Sequence, residues 1–85
     1  MNKITFYKIM EDDLTNWEGD NAFQGLKIME KYLPKNSALI EGADHDVIYS
    51  AGVAALIEGG ITEEDVKELS RLNWIVQDDY MQCYV

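Results

Sequence analysis

The residues in this chain best suited to chemistry are Asp44, His45 and Asp46, consecutive in sequence. An imidazole flanked by carboxylates has the donors of a partial metal site, or of a general base with a raised pKa. Spacing argues against both readings. On a strand, neighbours i and i+2 share one face while i+1 points away, so Asp44 and Asp46 reach His45 only if the chain turns there. Zinc or iron needs further ligands, and the other soft donor, Cys83, belongs to no paired motif. A polar turn beside a strand, with His45 in a local hydrogen bond, is the stronger reading. A small metal- or ligand-binding domain centred on His45 is the alternative.

Two other patterns lead to similar conclusions. Gly19-Asp20-Asn21 and Gly59-Gly60-Ile61-Thr62 place glycine ahead of a helix start, the geometry of an anion site. The second is followed by Glu63, Glu64 and Asp65, which repel phosphate, so both patterns read as helix punctuation. No phosphate-binding loop, dinucleotide fingerprint or nucleophile elbow is present. Cys83 alternates inward on a strand and lacks a basic neighbour to lower its pKa, which makes it a core residue. No catalytic residue, metal ligand or cofactor is expected, and the chain reads as a non-enzyme.

Charge is the larger signal. Sixteen acids face seven bases in 85 residues, for a formal net charge of −9. Residues 1–42 contribute −2 and residues 43–85 contribute −7. Such an imbalance draws a domain toward basic protein surfaces and away from nucleic acid. Part of the excess is helix grammar, because Glu63, Glu64 and Asp65 fall at the positive end of a helix dipole. Folding leaves the set Asp44, Asp46, Asp78 and Asp79 unexplained. Tyr80, adjacent in sequence, has the character of an interface anchor. The candidate partner-binding residues are therefore Asp44, Asp46, Glu63, Glu64, Asp78, Asp79 and Tyr80. The same carboxylates, with Glu58, Asp65 and Glu68, would imitate a nucleic-acid backbone if their elements lay side by side. A solvated acidic face is the plainer alternative.

The elements that must position these residues follow from periodicity. Hydrophobic residues make up 47% of the chain, enough for one small core, and one domain over 1–85 is expected. Residues 1–17 fit a strand or an irregular helix ending before Trp17, with a helical turn favoured near Met10–Asn16. Asp20 caps a helix over Asn21–Leu33 that Pro34 ends, and Lys27, Lys31 and Lys35, four apart, give one basic stripe on an otherwise acidic molecule. Ser37–Ile40 and Asp46–Ser50 outline a hairpin with Gly42 in its turn. Gly52–Glu58 is a short helix stopped by Gly59-Gly60. In the helix from Ile61 to Leu72, Thr62 is the cap, Asp65 completes a capping box, and Ile61 staples to Val66. Asn73 closes it in the left-handed region. Trp74–Val76 and Tyr80–Val85 are strands, with Met81, Cys83 and Val85 alternating against Tyr80, Gln82 and Tyr84. Tyr80 and Tyr84 either stand free or pack under the N-terminal segment. The expected fold is α+β, a short antiparallel sheet with helices packed on one face.

The longest uncharged run, Val47–Ile57, is too short to span a bilayer, and residues 1–13 lack the apolar region of a signal peptide. With a lone cysteine, the chain is expected in a reducing cytoplasm and not on a membrane.

Gly19–Ala22, Gly42–Ser50, Gly60–Asp65 and Leu72–Trp74, taken as a set, resemble the small acidic proteins of phages and prophages in Gram-positive-type bacteria. The resemblance covers most of the chain beyond residue 18. It implies an inhibitor of host defence in the host cytoplasm, of the anti-CRISPR or DNA-mimic kind. Its partner would be a basic nucleic-acid-binding or nuclease protein. No functional residue is carried over, and the lysine stripe departs from an evenly acidic surface. A homodimer or larger regulatory or structural oligomer is the remaining alternative.

Overall fold

A computed structural model describes residues 1–11 and 20–84. It shows an α+β fold of four helices and one four-stranded antiparallel sheet. The elements are α1 (Lys3–Glu11), α2 (Asn21–Glu30), β1 (Gly42–Asp44), β2 (Val47–Gly52), α3 (Val53–Glu58), α4 (Glu63–Arg71), β3 (Trp74–Gln77) and β4 (Tyr80–Tyr84). Strand order is β1-β2-β4-β3, so the last strand occupies an interior position. The expected continuation toward Asn16, the position of Trp17, the break at Glu18-Gly19 and the inward placement of Val85 lie outside the described residues.

Local signals account for most element ends. The N-terminal segment is a helix, with the Asn2 side chain accepting from Thr5 N at 2.8 Å as its cap. Asp20 caps α2 through Phe23 N at 3.1 Å. That helix stops at Glu30, three residues before the expected end. Lys31, Tyr32 and Leu33 donate to carbonyls three residues back, so the chain tightens into a narrower turn before Pro34. Lys35 consequently lies outside the helical register of Lys27 and Lys31. Thr62 caps α4 through Asp65 N at 3.1 Å, Ile61 and Val66 are both buried, and Asn73 has φ 66. The Asp65 carboxylate does not close a capping box. It turns instead to Lys31 Nζ, 2.8 Å away, and to the Tyr32 hydroxyl.

The first hairpin turns later than expected. Asp44 pairs with Val47, which leaves His45-Asp46 as the two-residue loop and places Gly42 within the strand. Gly42 has no positive φ. In the second hairpin Gln77 pairs with Tyr80, and Asp78 and Asp79 have φ 54 and 66. Positive φ at both central positions defines the turn whose twist matches a hairpin. The β2–β4 register shifts between Tyr49 and Gly52. This irregularity lets Ser50 and Ala51, neighbours in sequence, both be buried.

Phe6, Met29, Val53, Leu56, Val66 and Leu69 from the helices meet Trp74, Met81 and Cys83 from the sheet in one core. Trp74 is 2% exposed, and its indole Nε1 donates to Asn21 O at 3.1 Å. Gly25 lies directly over that ring, where an added Cβ would fall 1.9 Å from Nε1. Helix propensity favours alanine over glycine by up to about 1 kcal/mol. Here the clash decides the sign. Gly25→Ala is expected to destabilise the fold by roughly 1–3 kcal/mol, as overpacking does. A urea midpoint at or above the wild-type value would refute this contact.

Candidate functional site

The helices cover one face of the sheet, and alternation determines which side chains occupy the other. Tyr49 pairs with Gln82, Gln82 with Ile75, Val47 with Tyr84, and Gln77 with Tyr80. These residues share the face opposite Ile48, Trp74, Val76, Met81 and Cys83, which belong to the core or pack against it. Tyr80 and Tyr84 are 49% and 52% exposed. Both are thus about half exposed, and α1, whose Phe6 and Ile9 enter the core, packs on the other face of the sheet. Gln82 breaks the expected alternation of burial. It lies on the helix-free face yet is only 7% exposed, flanked by its strand and cross-strand neighbours, and its Nε2 donates to Gln77 O at 3.3 Å.

A groove of about 330 Å³ runs over this face, lined by Glu41, Gly42, Tyr49, Gln77, Asp78, Tyr80 and Gln82. Two of the expected partner-binding residues, Asp78 and Tyr80, meet here. Glu41, Tyr49 and Gln82 were not singled out by sequence reasoning. Strand alternation carried the signal for Tyr49 and Gln82, but cross-strand register was needed to use it.

The other candidates are dispersed. Asp44 lies on β1, with its Oδ1 accepting from His45 N at 2.9 Å, and Asp46 is in the adjoining turn. Val47 pairs with Tyr84 and Gly52 with Tyr80, so the Asp44–Asp46 turn and the Asp78–Asp79 turn are at opposite ends of the sheet. The length of β4 separates them by about 15 Å at strand rise. Glu63 and Glu64 are exposed at the start of α4, in the helix layer. The carboxylates considered together from sequence thus do not share one face. His45 is exposed at its turn, and among the described residues no group of three His, Cys, Asp or Glu side chains could hold a metal ion. Burial pushes the Cys83 thiol pKa up, with the Asn21 amide 3.3 Å from Sγ opposing.

Asp79 has structural partners. Its backbone oxygen accepts from Val53 N at 2.8 Å, at the start of α3. Its carboxylate accepts from the Tyr7 hydroxyl and lies 3.6 Å from Lys3 Nζ, both on α1. The two adjacent aspartates therefore divide their roles. Asp78 borders the groove, while Asp79 ties the turn to the helix layer.

No protein-family model matches this chain, and neither does any curated protein or solved structure. Among the described residues no helix is long and apolar enough to cross a membrane.

Hydrogen bonding from Tyr7 and the charge of Lys3 hold the Asp79 carboxyl below the usual aspartate range. For Asp65, burial raises the pKa, but the bonds from Lys31 and Tyr32 and the Lys31 charge outweigh it, so the net direction is also down. A carboxylate with a depressed folded pKa stabilises fully above its ordinary value of 3.8 and loses that contribution as pH falls through the folded value. The urea midpoint should therefore drop more steeply below pH 3.8 in wild type than in an Asp65→Asn/Asp79→Asn variant. Parallel profiles would show that these bonds are not formed in solution.

Proposed function

We propose that this chain is a binding protein without catalysis of its own, and that it docks a basic protein surface on the helix-free face of its sheet. The resemblance to small acidic phage and prophage proteins suggests the setting. There the partner is a nucleic-acid-binding or nuclease protein of host defence, met in the host cytoplasm, and docking inhibits it. The observation that carries the reading is the exposure of Tyr80 and Tyr84 on a face bordered by Asp44 at one end and Asp78 at the other. Tyrosine supplies large contact area with a polar tip, which is why it is enriched among interface anchors. The net charge of −9 steers basic partners inward and disfavours nucleic acid itself.

The test immobilises the chain and offers it the basic, heparin-retained proteins of a bacterial host. A partner should be held at physiological salt, released at high salt, and lose nuclease or nucleic-acid-binding activity when the chain is added. Tyr80→Ala/Tyr84→Ala should weaken capture about thirtyfold, the scale of a hot spot. Glu63→Lys/Glu64→Lys, in the helix layer, should leave it unchanged. Capture that needs Glu63 and Glu64 but not the tyrosines would overturn the reading.

A further inference from the structure

The groove on the sheet face has a composition more specific than general acidity. Two tyrosines, Tyr49 and Tyr80, line it together with the carboxylates of Glu41 and Asp78. Gln82 also lines it, although more than nine-tenths of that residue is buried. The orientation of its amide follows from its one bond. Gln77 O can only accept, so Nε2 must face it at 3.3 Å. Oε1 is the atom left over, and it accepts no hydrogen bond from any described residue. Oε1 is open to water, because among the described residues no buried side-chain nitrogen or oxygen lacks a partner, and a donor entering the groove can reach it.

We infer that this groove receives an arginine side chain of the docked partner. The inference rests on the reading that the helix-free face is the docking surface, and it names the chemistry recognised there. A guanidinium is planar, stacks on aromatic faces, keeps its charge at any physiological pH, and carries five N–H donors in a fixed fork. The groove offers the matching set: two aromatic rings, two carboxylates and one neutral acceptor. A lysine ammonium supplies charge but is a strongly hydrated point that does not stack. Phosphate and carboxylate ligands are repelled by Glu41 and Asp78. Gly42 completes the shape, since the position of its missing Cβ is 3.8 Å from the Tyr49 ring and leaves that edge of the groove open.

The experiment titrates the whole chain with three capped tripeptides, glycine-arginine-glycine and its lysine and citrulline counterparts, and follows the Gln82 side-chain amide and the Tyr80 backbone amide by NMR. The arginine peptide should shift both signals saturably, the lysine peptide more weakly, and the neutral citrulline peptide not at all. Glu41→Gln/Asp78→Asn should weaken the arginine peptide about tenfold. Asparagine keeps the left-handed turn position at 78, so this variant removes charge without disturbing the hairpin. Gly42→Val, which removes no charge and suits a strand, should abolish the shifts by filling the groove. Glu63→Gln/Glu64→Gln should change nothing.

Equal responses to arginine and lysine peptides, undisturbed by Gly42→Val, would reduce the groove to a diffuse acidic surface and overturn the inference. The broader reading fails separately. If partner capture still depends on Tyr80 and Tyr84 while no peptide shifts Gln82, the docking face stands and the arginine assignment falls. If the arginine peptide binds as expected but capture ignores the tyrosines, the groove's chemistry stands and the docking reading falls.

Discussion

Trp74 lies where the end of α4, the start of β3 and the body of α2 converge. Its ring occupies the space that Gly25 leaves empty, and its indole N–H is satisfied by Asn21 O. The Asn21 side chain in turn donates to Leu72 O at 2.8 Å, at the α4–β3 junction. One residue, Asn21, thus fastens the first turn of α2 to the sheet through its backbone and to the α4–β3 junction through its side chain. Truncating a buried tryptophan costs roughly 3–5 kcal/mol in general, a large share of the stability of a domain this small. Because α2 is held by this contact on the core side, the helix layer gathers on that side of the sheet. The exposure of Tyr80 and Tyr84 depends on that one-sided arrangement.

At the far end of the sheet, Asp79 has a comparable role on a smaller scale. A hairpin turn with two positive φ angles is easier for Asn-Gly than for Asp-Asp. Here the second aspartate holds Tyr7 and Lys3 with its carboxylate and the start of α3 with its carbonyl. Glycine would ease the turn but lose the side-chain link to α1. The turn so fixed sets Asp78 at the rim of the groove. Charge at this end therefore divides between holding the fold and shaping the surface, and the two uses fall on adjacent residues.

Much of the architecture was legible in the chain because its signals are local. Thr62, Glu63, Glu64 and Asp65 mark the start of α4, and Asn73 marks its end. Asp20 marks the start of α2, and the alternation of β4 separates Met81 and Cys83 from Tyr80 and Tyr84. Misreadings arose where two local signals competed. Pro34 limits a helix but does not fix where it begins to tighten, so α2 ends at Glu30. Gly42 has the freedom to turn, yet Asp44-His45-Asp46 makes the turn, with the Asp44 carboxylate accepting from the next backbone amide. The candidate site was legible only in part. Asp78 and Tyr80 were visible as an acid beside an aromatic, but Glu41, Tyr49 and Gln82 join them through strand pairing.

The sequence by itself determined the net charge, the Asp20 and Thr62 helix caps, the alternating strand and the α+β class, because each depends on residue type or on spacing within one turn or one strand. Tertiary structure alone decided which carboxylates stand together. Strand order and register send Asp44 and Asp78 to opposite ends of the sheet, place Glu63 and Glu64 in the helix layer, and bring Glu41 to the groove shared with Asp78. Charge is additive along a chain, but an electrostatic surface depends on distances between residues far apart in sequence. Those distances are fixed by packing.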